Sequence, residues 1–348
     1  MKSGPLPTAL RPFLAGVAGV YGSVVQRRNQ AFDQGRRVVT LDRPVISVGN
    51  LTVGGVGKTP LVTSIVQALR DAGHDPAIAM RGYRAVGGLS DEADAYLRRF
   101  DDLPMVVQPN RVDGLIDLFA LERGAKADCV VLDDGFQHRR LGRQLDIVAI
   151  DAAGVSVFDD HLLPVGWLRE PVDSLRRAHA VVLTHADRAD VAQIAAIERH
   201  CKAINEDLII ARAAHAWAGC DVSVPGPHRG ELLTSFAGLD VIVVCAIGKP
   251  ERFVSQAAGV GMRVVESVKL RDHDPYDERT VRRLERVAGR FPGVPILTTD
   301  KDWSKIRRTR LSERATIFRP RLEIAWLGGG DALVSKAIET VRSFERAG

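Results

Sequence analysis

The sequence predicts an α/β fold built on a parallel sheet, followed by a second, smaller α/β domain. Short apolar, β-branched runs recur along the chain, continuous rather than alternating, as in strands covered on both faces. Amphipathic helical stretches lie between several of these runs. The pattern then breaks and restarts near residue 215. A chain of 348 residues is also long for a single core, so two domains are expected.

In chain order, strands are expected at "PVISVGN" 44–50, "DPAIAMR" 75–81, "PMVVQ" 104–108, "CVVLDD" 129–134, "LDIVAID" 145–151 and "AVVLTHAD" 180–187. Helical spacing covers 59–73 and 111–124 between them. The segment 202–230, with Gly219, Pro225, Gly226 and Pro227, is expected to be a connector. Beyond it come strands at 239–248, 261–270 and 294–302, with helices at 250–258 and 277–290. The resulting division is a segment 1–28, a first domain 29–212 and a smaller domain 213–348. No internal repeat or low-complexity tract interrupts it.

Composition is that of a globular protein, 45% hydrophobic and 26% charged. Only nine of the 48 basic residues are lysine. Arginine suits phosphate and carboxylate, but a coding bias explains the count equally, and a net charge of +5 decides nothing. No nucleic-acid partner is expected. The four cysteines, Cys129, Cys201, Cys220 and Cys245, form no C-x-x-C pair, which argues against a zinc knuckle and fits a reducing cytosol.

Residues 12–25, "PFLAGVAGVYGSVV", carry no charge. Spanning a bilayer takes ~20 residues, so this run is too short. An interfacial helix flanked by Arg11 and Arg27-Arg28 and an ordinary buried helix both fit. A signal peptide fits less well, because no A-x-A site follows.

The chemistry concentrates in "VGNLTVGGVGKTP" 48–60. Glycine-rich sequence between a strand and a helix lets backbone N–H groups converge on phosphate oxygens, and the helix N-terminus adds partial positive charge. Thr52, Gly54, Gly55, Val56, Gly57, Lys58 and Thr59 would form this cradle. Lys58 would reach the β- and γ-phosphates of ATP, and the Thr59 hydroxyl would bind Mg2+. Pro60 is tolerated because the first helical turn has no N–H partner to lose. The strict pattern G-x-x-x-x-G-K-[ST] fails only at Thr52, where glycine is required. A P-loop NTPase-like parallel-sheet domain follows from this reading. Asp133 and Asp134 end an apolar run in "CVVLDDGFQHRR", which places two carboxylates at a strand tip to hold the metal directly or through water. Standing alone, Asp-Asp-Gly would more often cap a hairpin.

The same segments, taken in order, resemble one family. "VGNLTVGGVGKTP", "RGYR" 81–84, "LDDGFQHRRLGRQLDIVAID" 132–151, "LLPVGWLREP" 162–171, "AIGKPERF" 246–253, "RDHDPY" 271–276 and "TTDKDWSK" 298–305 are similar to the tetraacyldisaccharide 4'-kinases of lipid A synthesis. That family has threonine at the position of Thr52, so the loop entrance is a family variant. The resemblance implies transfer of the ATP γ-phosphate to the 4'-hydroxyl of a diglucosamine 1-phosphate glycolipid. It also implies work at the cytoplasmic face of the inner membrane, on an anionic surface, with the N-terminal helix dipping into lipid.

Site roles follow by alignment of motifs. Asp91, in "SDEA" where the family has Gly-Asp-Glu-Pro, and His273 of "RDHDPY" would be a catalytic pair. A carboxylate–imidazole pair can accept and orient the proton that the attacking hydroxyl sheds. His273 falls in the second domain and the loop in the first, so closure would be required. Arg111, Arg169, Glu170, Gln137 and His138 would surround nucleotide and acceptor, and Tyr83 would contact sugar. Packing or surface roles remain open for Tyr83, Arg111, Arg169 and Glu170. In "TTDKDWSK", Asp300 and Trp303 depart from the family, and no role beyond shaping the second domain is read. Two other functions stay in view. A P-loop GTPase of the metallochaperone type is suggested by Thr184-His185-Ala186-Asp187, which resembles a guanine-reading signature with histidine in place of lysine. A non-catalytic membrane-associated ATP-binding module would need neither Asp91 nor His273.

Overall fold

The computed structural model describes residues 11–82, 91–100, 102–225, 232–248, 250–272 and 274–347. Its strands are β1 (Val45–Asn50), β2 (Pro76–Met80), β3 (Met105–Val107), β4 (Cys129–Asp133), β5 (Leu145–Asp151), β6 (Ala180–Thr184), β7 (Ile209–Ser223), β8 (Leu232–Leu233), β9 (Asp240–Cys245), β10 (Arg263–Lys269), β11 (Ile296–Leu297) and β12 (Ile317–Gly328). The helices are α1 (Arg11–Asp33), α2 (Lys58–Asp71), α3 (Asp91–Arg99), α4 (Arg111–Phe119), α5 (Glu122–Ala125), α6 (Val191–Ile204), α7 (Pro250–Gly259), α8 (Glu278–Arg290), α9 (Asp300–Ile306), α10 (Leu311–Arg314) and α11 (Gly330–Ala347).

Two compact units result. The first comprises Met1–Arg84, Phe100–His215 and Ile324–Gly348; the second comprises Ala85–Arg99 and Ala216–Glu323. The division expected at 212/213 differs from this in two places. The tail returns to the first unit, because α11 packs against α2, and its Leu333, Ala337 and Val341, spaced on one face, are fully buried. The α3 segment joins the second unit, where it packs on α9.

In the first unit the strand order is β3-β2-β4-β1-β5-β6-β7, and the pairs are parallel. Strands β1, β2, β4 and β6 are buried along their whole length, as their unbroken apolar runs require. Strand β1 lies between β4 and β5, with Val48 opposite both Asp133 and Ile147. The carboxyl ends of these strands therefore deliver the glycine loop, Asp133–Asp134 and Asp151 to one edge, where α/β sheets bind ligands.

The second unit has β9 at the centre of a parallel set ordered β10-β9-β11-β12, and β8 runs antiparallel to the far half of β7. Burial along β7 and β12 is incomplete, with intermediate and exposed positions among the buried ones, unlike the fully covered strands of the first unit. The expected connector 202–230 is thus largely incorrect: α6 ends at Ile204 and β7 runs fifteen residues. Five alanines in "IIARAAHAWAGCDVS" kept it from reading as a strand, since alanine is depleted in strands. The run 294–302 is strand only at Ile296–Leu297 and turns into α9 at Asp300.

Candidate active site

Helix α2 begins at a loop whose conformation only glycine takes cheaply. Gly57, its N-cap, has φ 81°, and a Cβ there would lie 2.1 Å from the His215 ring. Gly57 supplies no capping side chain and the first turn carries no acidic residue, so the first-turn amides suit an anion. Val53, Gly54 and Gly55 are exposed, whereas Val56 is buried beneath them.

The loop is held at both ends. At its entrance Val53 N–H donates to the Trp167 carbonyl (2.8 Å), Arg169 N–H donates to Leu51 (2.8 Å), and Thr52 bridges Leu168. Thr52 therefore sits as an extended residue against a neighbouring segment, where a glycine's freedom is not required. At its exit the Thr184 hydroxyl donates to the Val56 carbonyl (2.8 Å).

Charge converges on Asp134. Its φ of 51° is left-handed, a conformation aspartate tolerates, and turns the chain at the end of β4. Lys58 Nζ lies 3.1 Å from its Oδ1 and 3.0 Å from Asn50 Oδ1. Arg169 Nη1 donates to both Asp134 oxygens, at 3.0 and 2.8 Å, and Arg111 Nη1 donates to the Asp134 carbonyl at 3.2 Å. Burial works to raise the Asp134 carboxyl, but the Lys58 and Arg169 charges outweigh it and hold the pKa below the usual range. Asp133 is buried at the strand tip beside it. Gln137 links the cluster to β1, donating to the Asn50 carbonyl (2.9 Å) and accepting from Arg169 (3.4 Å). Burial, followed by the charges of Arg111 and Arg143, lowers His138 to about 4. Its ring is therefore neutral at physiological pH and can bind only as a hydrogen-bonding group.

Other expected residues are placed differently. Glu170 is fully buried, with its carboxylate taken by Arg177 (2.8 Å), Asn29 (3.0 Å) and Arg28 (3.2 Å). It fastens α1 to the sheet unit. Thr59 is half-buried at the helix start. Asp91 opens α3 in the second unit, and Tyr83 and His273 lie outside the described residues. Of the guanine-like signature, Thr184 bonds the loop as described, His185 pairs with Asp151 (3.0 Å) and Asp187 pairs with its neighbour Arg188 (3.4 Å).

Sequence reasoning missed Asn50 and His215, and it read Thr184 only as part of the guanine-like signature, not as a contact of the loop. Burial, followed by the charge of neighbouring His185, lowers His215 to about 4, so a neutral ring stands behind Gly57. Asn50 alone had a legible signal, since a buried polar residue ending an apolar strand beside a phosphate loop needs a partner. Thr184 and His215 reach the loop across more than a hundred residues, and no local pattern reports that.

The site can thus receive a polyphosphate at uncapped amides and a lysine, with acidic oxygens alongside. Comparison with known proteins agrees. The family model described as tetraacyldisaccharide-1-P 4'-kinase matches residues 10–339. A tetraacyldisaccharide 4'-kinase of Chlorobaculum tepidum is 33% identical over 85% of this chain and 86% of its own. One from Geobacter metallireducens is 33% identical over 90% and 93%. The crystal structure of LpxK from Aquifex aeolicus in complex with ATP superposes with a TM-score of 0.71 at 26% identity, covering 95% of this chain and 99% of that one.

Proposed function

The chain belongs to the tetraacyldisaccharide-1-P 4'-kinase family, and we infer from this its reaction and how its residues divide the work. It is an ATP-dependent kinase of lipid A biosynthesis that phosphorylates the 4'-hydroxyl of a disaccharide 1-phosphate glycolipid. The observation that carries the mechanism is Lys58 held 3.1 Å from Asp134 at the mouth of an uncapped helix.

Thr52, Gly54, Gly55, Val56, Gly57, Lys58 and Thr59 cradle the ATP phosphates. Lys58 is poised between Asn50 and Asp134, so it can turn to the β- and γ-oxygens without first being ordered. Thr59, Asp133 and Asp134 fit Mg2+, since a hydroxyl and two carboxylates are the hard oxygen donors that this ion takes. When bound, Mg2+ would neutralise charge on the phosphoryl oxygens. Arg169 and Arg111, both joined to Asp134, face the same centre and are suited to the charge developing on the transferred group. Neutral His138 and Gln137 offer hydrogen bonds to nucleotide or sugar, and Tyr83 is assigned to the sugar by the family motif. The side-chain contacts of Glu170 favour holding α1 and Arg177 over touching substrate. Asp91 and His273 accept and orient the proton leaving the 4'-hydroxyl.

We place the enzyme peripherally at the cytoplasmic face of the inner membrane. No described helix is long and apolar enough to cross a membrane. Helix α1 docks by Tyr21, Val25, Arg28 and Asn29, yet leaves Val17, Val20 and Val24 exposed at 44, 67 and 60%, a stripe at helical spacing.

The test is label transfer from [γ-labelled] ATP to disaccharide 1-monophosphate lipid. Label should appear on the lipid, faster with ATP than with GTP. Lys58→Ala should lower kcat/KM by about 10²-fold or more, the scale for losing one preorganised charge-stabilising group. Unchanged transfer by Lys58→Ala would overturn the cradle assignment.

A further inference from the structure

The end of the first unit's sheet opposite the phosphate loop holds a side-chain cluster to which the reaction gives no task. His74 lies between α2 and β2, and Asp128 immediately precedes β4. Strands β2 and β4 pair in parallel, with Pro76 opposite Cys129, so both residues stand at the amino ends of neighbouring strands. Asp133, by contrast, closes β4 at its carboxyl end. Glu345 arrives from the last turn of α11, the helix that returns to pack on α2. All three residues belong to the first unit.

His74 Nδ1 lies 2.9 Å from Asp128 Oδ2 and 3.8 Å from Glu345 Oε1, and the three atoms lie within 4.8 Å of one another. The His74 side chain is 8% exposed, that of Asp128 28% and that of Glu345 49%, so a buried imidazole is joined by two carboxylates of increasing access to solvent. The other Asp128 oxygen accepts from the Asp75 N–H at 3.0 Å, which orients the carboxylate as the outer partners of metal ligands do. Among the described residues neither carboxylate meets a lysine or arginine, in a chain that has 48 of them. His74 Nε2 is buried without a hydrogen-bond partner among the described residues. The ring proton can therefore reside on Nε2 without breaking a bond there, which leaves Nδ1 able to bind a cation.

We propose that His74, Asp128 and Glu345 form a site for a divalent transition metal, with zinc the ion that their donors fit best. Zinc bonds imidazole and carboxylate at ~2.1 Å, so neighbouring ligand atoms of a tetrahedral site stand roughly 3.4 Å apart. The distances of 2.9 and 3.8 Å from Nδ1 bracket that separation. A metal-bound imidazole is neutral, and the two carboxylates then match the charge of the ion. Nitrogen among the donors disfavours Mg2+, which takes oxygen, so the cluster differs in chemistry from Thr59, Asp133 and Asp134. With three protein ligands the fourth position falls to water. The ion fastens the last turn of α11 to the amino ends of β2 and β4, and so clips the returning helix in place at the end of the strands remote from the cradle.

The experiment titrates ZnCl2 into full-length, chelator-treated protein by calorimetry, in excess Mg2+ to fill the oxygen donors beside the cradle. One zinc ion per chain should bind, and zinc at about 100 times its Kd should raise Tm by about 3 °C or more. Glu345 is exposed, so Glu345→Gln should fold as the wild type does. That variant should bind zinc at least about tenfold more weakly, with kcat and the metal-free Tm unchanged. Glu339→Gln removes a charge from the same helix outside the cluster and should leave zinc affinity as it was. Asp128→Asn should also lose zinc, and it carries the test where His74→Gln fails to fold. Zinc held equally by the wild type and Glu345→Gln, zinc displaced by Mg2+, or no zinc binding at all overturns the proposal. An equal loss in Glu339→Gln and Glu345→Gln also overturns it, since surface charge alone then accounts for the binding.

Discussion

Asp134 is the residue through which the site's electrostatics can be read. Lys58 and Arg169 both depend on its charge, and they hold its pKa down against the opposing effect of burial. A carboxylate depressed on folding adds stability that is fully present above its unfolded pKa of ~3.9 and disappears as pH falls through the folded value. Without nucleotide, the stability gap between the wild type and Asp134→Asn should be flat from about pH 5 to 8 and should shrink below pH ~4. His138 and His215 complicate the absolute curve, since unfolding lets each ring take a proton that the fold refuses. Both proteins should therefore lose stability from pH ~6.5 down towards about 4, and this common loss cancels in the gap. Chemical denaturation of both proteins across pH measures it; a gap that widens in acid would contradict the charge cluster.

Elements divide by how visible their purpose was in sequence. The buried strands announced themselves, because a strand covered on both faces has no polar positions to disguise it. The loop, Lys58, Thr59 and the Asp133–Asp134 tip stood out for a related reason: the pattern that suggests a phosphate cradle restricts residue type within a short window. Glu170 did not, since its partners Arg28 and Arg177 lie on separate elements and only the family motif placed it near substrate. Helix α1 was read as either lipid-facing or packed, and it has a face for each. This makes deletion of residues 1–28 a poor test, as it would leave Glu170 buried without Arg28. Replacing Val17, Val20 and Val24 together with serine spares the docked face. Each valine contributes about 1.5–3 kcal/mol on full burial and less at an interface. The triple variant should bind anionic vesicles at least tenfold more weakly, with unchanged thermal stability, in a flotation assay. Equal flotation would leave the stripe without a function.

At the scale of the whole molecule, the chain builds its nucleotide unit from three separate segments and completes it last. Helix α11 packs on α2, the helix whose first residues are Lys58 and Thr59. The turn into α11 is made at Gly329, with φ 71°, where a Cβ would fall 2.3 Å from the Ile210 carbonyl. Sequence reading assigned 213–348 to one domain because position along a chain says nothing about return. The amphipathic last helix has an apolar stripe that looks the same whichever unit it covers. That return has a mechanical consequence: α11 supports the back of α2, although it contributes no residue to the cradle described above. Leu333 is fully buried at this seam, so Leu333→Ala should cost about 2–5 kcal/mol. Truncation after residue 329 would bare the seam entirely and should weaken ATP binding together with thermal stability. A truncated chain that binds ATP as tightly as the intact one, by calorimetry, would mean that α2 holds its position unaided and the last helix belongs to the fold in name only.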